Sequence, residues 1–294
     1  MDLAAFAEEV GAKDPVVPVG GRTQWTVGGP AAADGREVRA PSGVVEFTPA
    51  EMTARVGAGT TVTELDAALA EAGQTVALPA WPDATVGGVL SVGHSGLRRL
   101  GWGPVRNTLL EARYVSAEGT VVKAGGPVVK NVTGYDLCRL LVGSLGTVGI
   151  LAEVVVRTRP LPAVSRWFAG PGADPFATRH ALHAPSSLLW DGTTVWVLLE
   201  GHGADVDQEH ARMGAVFTEV DGPPPIPTGG RESRRPSELR DLDGVFVAEI
   251  GVGTVHRHEA VPPREVTASI AELQRRVKAV FDPTGRLNPG RQVP

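Results

Sequence analysis

Short apolar runs, broken by glycine, proline and polar residues, dominate the first half of the chain and predict a β-rich domain. Valine-rich runs of this kind predict strands at residues 16–19, 44–47, 53–56 and 148–158. Thr61 and Glu64 have the spacing of a capping box, and apolar residues at helical spacing follow them. This pattern predicts a helix over 62–72, with Gly73 as its C-terminal stop.

Residues 109–116 and 120–123 flank Ala117-Glu118-Gly119 and predict a hairpin, and residues 135–142 predict a short helix. In the second half, the pattern predicts strands at 196–199 and 245–249 and helices at 206–213 and 264–281. The last of these helices carries four apolar residues on one face: Ile270, Leu273, Val277 and Val280. Residues 221–236 combine proline, glycine and arginine, which predicts a long exposed loop.

Composition restricts the classes to which the chain can belong. Its 294 residues are 42% apolar and 21% charged, enough for a sizeable core and about two domains. The formal charge of −5 argues against nucleic-acid binding, which needs a basic surface. Because Cys138 is the single cysteine, the chain can form no intrachain disulfide and cannot ligate an iron–sulfur cluster through several thiolates.

The N-terminus lacks the basic start and apolar core of a secretory signal. The apolar runs are far shorter than the roughly 20 residues that cross a bilayer. We therefore expect a cytoplasmic chain with no membrane insertion of its own.

Three glycine clusters are the strongest candidates for a binding site. In the first, the predicted strand at 16–19 breaks into Gly20-Gly21-Arg22-Thr23-Gln24, a run without acidic residues. Consecutive glycines expose backbone N–H groups that can bind phosphate, but a plain β-turn has the same composition. The run is not a G-x-G-x-x-G fingerprint and lacks the Gly-Lys-Ser/Thr ending of a P-loop. From these residues alone, both interpretations stay open.

The second cluster, residues 82–96, consists mostly of small residues, and the third, residues 143–150, joins the predicted short helix to the long strand. Small residues let the backbone pack flat against a ring or a pyrophosphate, and they equally suit tight turns between core segments.

Stretches from these clusters and from the C-terminus resemble a known family: residues 20–23, 84–88 with 95–99, 130–137 with 141–149, and 281–290. They resemble the FAD-binding domain of the vanillyl-alcohol oxidase and p-cresol methylhydroxylase superfamily. More narrowly, they are similar to the FAD-binding (E) subunits of bacterial glycolate oxidases. The resemblance covers 16–162 and 278–291 and is weak across 163–255.

This resemblance implies an α+β fold in three parts. Residues 1–162 would form the FAD-binding domain, composed of two β-rich subdomains with the cofactor between them. Residues 163–255 would form a small α/β cap domain. Residues 256–294 would supply a helix and a segment that returns to the FAD-binding domain.

The resemblance also implies which residues bind FAD. The expected set is Val19, Gly20, Gly21, Arg22, Thr23, Gln24, Pro82, Thr85, Val86, Gly87, Gly88, Ser91, Gly96, Gly149 and Ile150. Some relatives attach the flavin through a histidine in the first loop. Arg22 and Thr23 occupy that stretch here, so we expect non-covalent FAD. His94, in the second cluster, is the nearby histidine that could be considered for a covalent link, and a hydrogen-bonding role suits it better.

The 2-hydroxy-acid dehydrogenases of this superfamily carry two signatures whose histidines hold a divalent metal. The Gly-Asp-Gly-Asn signature is absent from the sequence, and the second reads Glu249-Ile250-Gly251-Val252-Gly253, with Ile250 in place of the ligand histidine. Isoleucine can neither coordinate a metal nor move a proton. His256 and His258 are weak evidence for a site, so we expect no metal and leave the catalytic residues unassigned.

Two hypotheses on function follow. In the first, the chain is an FAD-carrying subunit that passes electrons from a larger catalytic flavoprotein to an iron–sulfur subunit. Any association of the chain with a membrane would occur through these partners. In the second, the chain is a self-sufficient oxidoreductase acting on a small hydroxyl-bearing substrate, with Arg231, Arg234 and Arg235 available for a carboxylate. A third interpretation is an FAD-stabilised structural module. The substrate and the electron acceptor are not determined by the sequence.

Overall fold

The structure is a computed structural model that describes residues 1–127, 135–262 and 265–293, so residues 130–134 of the family-like stretch lie outside the described residues. The helices are, in chain order, α1 (Leu3–Val10), α2 (Val62–Ala70), α3 (Val86–Val92), α4 (Arg99–Trp102), α5 (Leu137–Leu141), α6 (Pro175–Ala181), α7 (Gly203–Met213) and α8 (Ala268–Phe281). The strands are β1 (Val16–Pro18), β2 (Arg36–Val38), β3 (Val44–Thr48), β4 (Thr53–Gly57), β5 (Gln74–Val76), β6 (Leu109–Val115), β7 (Val121–Gly125), β8 (Ile150–Pro160), β9 (Val164–Pro171), β10 (Ser187–Trp190), β11 (Thr194–Gly201), β12 (Thr218–Val220), β13 (Gly230–Ser233), β14 (Phe246–Glu249) and β15 (Thr254–Arg257). Short 3₁₀ helices occur at Pro49–Glu51, Val105–Asn107 and Pro236–Asp241.

The predicted start of α2 is confirmed by its cap. Thr61 Oγ1 accepts from Glu64 N at 3.1 Å, and Glu64 Oε2 accepts from Thr61 N at 2.9 Å, which is the reciprocal capping box. Leu65 and Leu69 of this helix are fully buried. The helix ends two residues earlier than predicted, and Gly73 follows in the left-handed region with φ +66°.

The chain divides into two compact units. The first comprises residues 1–95, 104–161 and 265–294, and the second comprises 96–103 and 162–264. One boundary, 161/162, is one residue from the expected 162/163, but residues 96–103 group with the second unit and so interrupt the expected continuous domain of residues 1–162. The second unit extends past residue 255 because β15 belongs to its sheet.

The first unit contains two sheets. β1 and β2 form a parallel pair, and an antiparallel sheet has the order β3-β4-β8-β6-β7, with β5 also pairing with β8. One face of the larger sheet supplies apolar residues such as Val56 and Val154 to the core. The other face carries Arg55, whose Nη1 donates to Glu111 Oε1 at 3.0 Å and to Glu153 Oε1 at 3.1 Å. The β6–β7 hairpin predicted from the sequence is confirmed.

The second unit is built on one antiparallel sheet of order β12-β9-β11-β10-β14-β15-β13. Phe168, Val197 and Val255 lie on the sheet face that packs with α6 and α7 to form an apolar core. Because side chains alternate along a strand, residues such as Glu200 and Glu249 lie on the opposite face.

The prediction of one continuous loop over 221–236 is corrected by the structure. Gly230–Ser233 form β13, which pairs with β15 at the edge of the second sheet, while 221–229 have no regular helix or strand. A Cβ at Gly229 would lie 1.7 Å from His258 O. Glycine therefore permits two chain segments to pack closely at this position. Because glycine is also typical of loops, the composition of the stretch did not indicate a strand.

The last helix is shorter and less buried than its sequence predicted. α8 begins at Ala268, four residues after the predicted start at 264. Ile270, Leu273 and Val280 are 47%, 58% and 74% exposed, while Val277 packs onto the core of the first unit.

The segment after α8 returns to the first unit, as predicted. Leu287 forms a parallel bridge with Val16 of β1, and Asn288 N donates to Val16 O at 2.8 Å. The Asn288 side-chain Nδ2 donates to Leu145 O at 2.6 Å. Residues from the C-terminal end thus become part of the structure around β1.

Candidate functional site

The first unit contains a cavity of about 380 Å³, into which all three glycine clusters contribute residues. Eleven of the fifteen residues predicted from the sequence line it: Val19, Gly20, Gly21, Arg22, Thr23, Gln24, Thr85, Gly87, Gly88, Ser91 and Ile150. Four predicted residues do not line it: Pro82, Val86, Gly96 and Gly149.

These four residues have other positions in the fold. Pro82 is next to a lining residue, and Val86 is fully buried in the core of the first unit. A Cβ at Gly149 would lie 2.4 Å from Tyr114 Cδ2, so this glycine makes room for the tyrosine ring. Gly96 belongs to the second unit.

Gly20 and Gly21 are required by the close approach of two loops. A Cβ at Gly20 would lie 2.3 Å from Thr85 Oγ1, and a Cβ at Gly21 would lie 1.7 Å from Asp83 O. Arg39 Nη1 donates to Gly20 O at 3.2 Å and holds the loop from its other side. Any side chain at these two glycines would force the loops apart.

The second loop is fixed where it enters α3. Thr85 Oγ1 accepts from Gly88 N at 3.1 Å, and Gly87 N donates to Ala58 O at 2.8 Å. A Cβ at Gly87 would lie 2.7 Å from Ala58 Cβ, so glycine permits this contact. The loop is thereby held against a segment that also lines the cavity.

The described lining of the cavity carries cations and no carboxylate. It includes Arg22, Arg39 and Arg291 and contains neither Asp nor Glu. Arg22 forms an ion pair with Glu37, which lies outside the lining. The guanidinium carbons of Arg22 and Arg291 lie 4.9 Å and 4.4 Å from the centroid of the Trp25 ring. This environment favours an anionic ligand with several oxygens, such as a pyrophosphate.

Two buried oxygens in the lining, Gln24 Oε1 and Asn288 Oδ1, have no hydrogen-bond partner among the described residues. An unpaired buried acceptor costs about 1–3 kcal/mol, which a ligand that donates hydrogen bonds would recover. FAD has an anionic diphosphate, hydroxyl donors on its sugars and a flat ring with an N–H group. The glycines, the arginines and the two acceptors therefore fit this cofactor.

Several lining residues were not predicted from the sequence, among them Trp25, Arg39, Asn288 and Arg291. Arg39 follows β2 without any recognisable motif. Asn288 was noticed as part of the returning segment, and its neighbour Arg291 shares that signal. Neither was assigned to the site because their approach to β1 is long-range.

Comparison with protein families identifies most of the chain in two separate matches. The family described as FAD binding domain matches residues 2–125, and the one described as FAD linked oxidases, C-terminal domain, matches residues 192–292. The chain therefore matches an FAD binding domain over its first part and the C-terminal domain of FAD linked oxidases over part of its second half. Its cofactor is FAD, and the resemblance seen in the sequence is confirmed.

The curated relatives that the chain matches include subunits and dehydrogenases. It is 36% identical over 168 residues to glycolate oxidase subunit GlcE of Escherichia coli. It is 38% identical over 107 residues to a D-lactate dehydrogenase of Archaeoglobus fulgidus and 33% identical over 159 residues to glycolate oxidase subunit GlcD of Bacillus subtilis. The matches cover 55%, 35% and 52% of this chain but 47%, 24% and 33% of the relatives. The chain thus matches about half of their length or less.

Among solved structures, an alkyldihydroxyacetonephosphate synthase matches with a TM-score of 0.70. The match covers 97% of this chain and 72% of that chain at 14% identity, so it shows the shared fold. The predicted α+β FAD-linked oxidase fold is confirmed. Among the described residues, no helix combines the length and apolar character needed to cross a membrane.

A group of ionisable side chains lies within the second unit. His256 Nε2 donates to Glu249 Oε1 at 2.9 Å, and Glu249 Oε2 is buried with no hydrogen-bond partner in the described part of the chain. Arg231 is paired with His256 across β13 and β15. Burial lowers the pKa of Arg231, an effect that Glu249 opposes and Arg99 reinforces.

Ile250 follows β14 and packs into the apolar core of the second unit, where it is 1% exposed. Its N–H donates to Leu188 O at 2.8 Å. His258 is exposed, and His94 is half-buried and does not line the cavity. Within residues 1–127, 135–262 and 265–293, no group of three or more His, Cys, Asp and Glu side chains is arranged to hold a metal ion.

Proposed function

We propose that the chain is the FAD-carrying subunit of a glycolate oxidase-type complex. It receives electrons from a larger catalytic flavoprotein and delivers them to an iron–sulfur subunit. The observation that carries this proposal is Ile250, which stands where the resemblance expects a metal-binding histidine. Similarity to a glycolate oxidase subunit over 55% of the chain supports it.

Ile250 removes a chemical group that oxidation of a metal-bound hydroxy acid would need. An alkyl side chain neither coordinates a cation nor accepts a proton. At 1% exposure, it contributes to the apolar core of the second unit instead. If a partner subunit oxidises the hydroxy acid, this chain does not need the metal-binding histidine.

The first unit retains what an electron carrier needs. FAD, when bound, supplies redox chemistry in one-electron or two-electron steps. Gly20 and Gly21 let the two loops beside the cavity approach each other, and Gln24 and Asn288 offer acceptors for hydroxyl or N–H groups of FAD. Burial raises the pKa of the Cys138 thiol to about 11, so this thiol stays protonated at neutral pH. Because the chain has a single cysteine, the proposal assigns the onward iron–sulfur cluster to a partner.

The group formed by Arg231, Glu249 and His256 favours a second candidate function, a self-sufficient FAD-dependent oxidoreductase. A guanidinium binds a substrate carboxylate, and an imidazole held by a carboxylate can take the hydroxyl proton. Arg231 joins this group because it lies opposite His256 in the sheet, whereas Arg234 is ion-paired with Glu232. In this candidate, the chain oxidises a small hydroxy acid by itself.

Stopped-flow reduction of the bound flavin separates the two candidates. The FAD-loaded chain is mixed anaerobically with glycolate or D-lactate, alone and with the partner flavoprotein, and loss of flavin absorbance is followed. We expect slow or no bleaching of the isolated chain and fast bleaching in the presence of the partner.

The contrary outcome has its own signature. Rapid bleaching of the isolated chain that is lost in Glu249→Gln and kept in Glu259→Gln would overturn the electron-carrier proposal. Glu259 is an exposed carboxylate of the same unit and serves as the matched control.

A further inference from the structure

The loop of residues 22–29 in the FAD-binding unit has little internal structure of its own. It contains no helix or strand, and its internal backbone bonds join residues three apart at 3.3, 3.2 and 3.2 Å. Bonds of this length are at the weak end of the range for N–H donors. Arg22, Thr23 and Gln24 at its start line the cavity, so its conformation bears directly on the cofactor.

Arg291 draws this loop together from the other end of the chain. Its Nη1 donates to Trp25 O at 2.6 Å, to Val27 O at 3.1 Å and to Gly29 O. Its guanidinium also lies on the Trp25 ring at 4.4 Å from the centroid. Carbonyl groups from alternate residues of the loop thus converge on one cation that is 262 to 266 residues away in sequence.

Neighbours of Arg291 reinforce the same contact. Gln292 N donates to Gly28 O at 2.8 Å, and Ala32 N donates to Pro289 O at 2.8 Å. Gly28 has φ +82°, and a Cβ there would lie 2.7 Å from Gln292 O. The C-terminal segment and the loop are therefore packed backbone against backbone.

We propose that Arg291 is a positioning residue of the FAD site, and that FAD affinity depends on its hold on Trp25 and the 22–29 loop. Arg291 compensates the partial negative charges of the three loop carbonyls, which would otherwise oppose an anionic ligand in the neighbouring cavity. Without Arg291, the loop must become ordered when the cofactor binds. The entropic cost of this ordering makes the binding free energy less favourable. This inference concerns cofactor binding and does not depend on the proposed electron-transfer role.

Titration of the apo chain with FAD, followed by flavin fluorescence, tests the proposal. We expect Arg291→Ala to raise the Kd for FAD about tenfold or more. Arg291→Lys should recover part of the affinity, because an ammonium keeps the charge but cannot stack on Trp25 as a planar group. Trp25→Ala should raise the Kd for FAD by a similar factor. The Kd of the double variant should not exceed that of the single variant that binds FAD more weakly, because both residues act through one loop.

Arg286→Ala is the matched control for a purely structural role. Arg286 Nη2 also donates to two backbone carbonyls, Val10 O at 2.6 Å and Gly11 O at 2.5 Å, but Arg286 does not line the cavity. Its loss should lower the unfolding temperature and leave the Kd for FAD unchanged.

Two results would overturn the proposal. One is an Arg291→Ala chain that behaves like Arg286→Ala, with lower stability and unchanged FAD affinity. The other is a double variant in which the losses from Trp25 and Arg291 multiply. Should Arg291→Ala fail to fold, Arg291→Lys decides the matter, since a Kd equal to that of the unmodified chain would contradict the proposal.

Discussion

Replacing Gly21 by alanine tests how closely the two loops of the candidate FAD site must approach. The new Cβ would lie 1.7 Å from Asp83 O and 2.6 Å from the Asp83 carbonyl carbon. Ordinary contacts are about 3.5–4 Å, so the loops must separate by roughly 2 Å. Asp83 cannot rotate cheaply, because its φ of +62° already lies in the left-handed region and the next carbonyl, Ala84 O, accepts from Val62 N at 2.8 Å.

The size of the effect follows from this clash. Overpacking of this kind costs about 1–3 kcal/mol, and each 1.4 kcal/mol is tenfold in Kd. If the apo loops relax apart and FAD requires them together, Gly21→Ala should weaken FAD binding roughly 5- to 150-fold. Gly21→Asp adds a carboxylate to the loop proposed to hold the diphosphate, and like charges about 4 Å apart repel by about 4 kcal/mol near a protein surface. This variant should purify without stoichiometric flavin.

Fluorescence titration of the apo chain with FAD measures both variants. Gly126→Ala is the control from the same unit, because a Cβ at Gly126 would meet no described atom within 4 Å. Its Kd for FAD should match that of the unmodified chain. A Gly21→Asp protein that is yellow and holds one flavin per chain would refute the assignment of this loop to the diphosphate.

Three further predictions follow. Acid precipitation should leave all flavin in the supernatant, since the FAD is expected to be non-covalent; flavin in the pellet would contradict this. Burial opposes ionisation of Glu111, but Arg55 and Lys123 outweigh it and hold its pKa below the ordinary value of 4.5. This carboxylate therefore stabilises the fold above about pH 4.5 and loses its effect as the pH falls through its lowered pKa. Glu111→Gln should lower the free energy of unfolding by about 2 kcal/mol at pH 7 and by less in acid, whereas exposed Glu46→Gln should change it by about 0.5 kcal/mol or less in denaturant titrations. Ile250→His should confer neither tight divalent-metal binding by calorimetry nor reduction of the flavin by glycolate, because one ligand rarely builds a site.

Local signals in the sequence predicted those parts of the site whose geometry is itself local. Gly20 and Gly21 are consecutive glycines after a strand, and a clash at both positions explains why no side chain is present there. The capping box of Thr61 and Glu64 likewise acts over three residues. The family resemblance added the cofactor, which residue spacing alone left undecided between a turn and a phosphate nest.

What the sequence could not reveal is set by long-range contacts. Arg291 joins the cavity because Leu287 pairs with Val16 across the length of the chain. Gly149 was assigned to the cofactor, yet it makes room for Tyr114, which lies on another strand. The apolar residues of α8 are periodic, but periodicity alone does not say that a face is covered; Leu273 is 58% exposed.

Two adjacent residues of the second unit, Glu249 and Ile250, bear on the choice between the two candidate functions. Glu249 is buried beside His256 and within the field of Arg231, so its negative charge is compensated inside the protein by groups already present. One carboxylate oxygen of Glu249 has no hydrogen-bond partner among the described residues. This costs about 1–3 kcal/mol of folding free energy, which a fold of this size can tolerate. The ionisable group therefore needs no substrate to account for it, whereas Ile250 takes away a ligand that hydroxy-acid oxidation on a metal would require. This asymmetry favours the electron carrier over the self-sufficient enzyme.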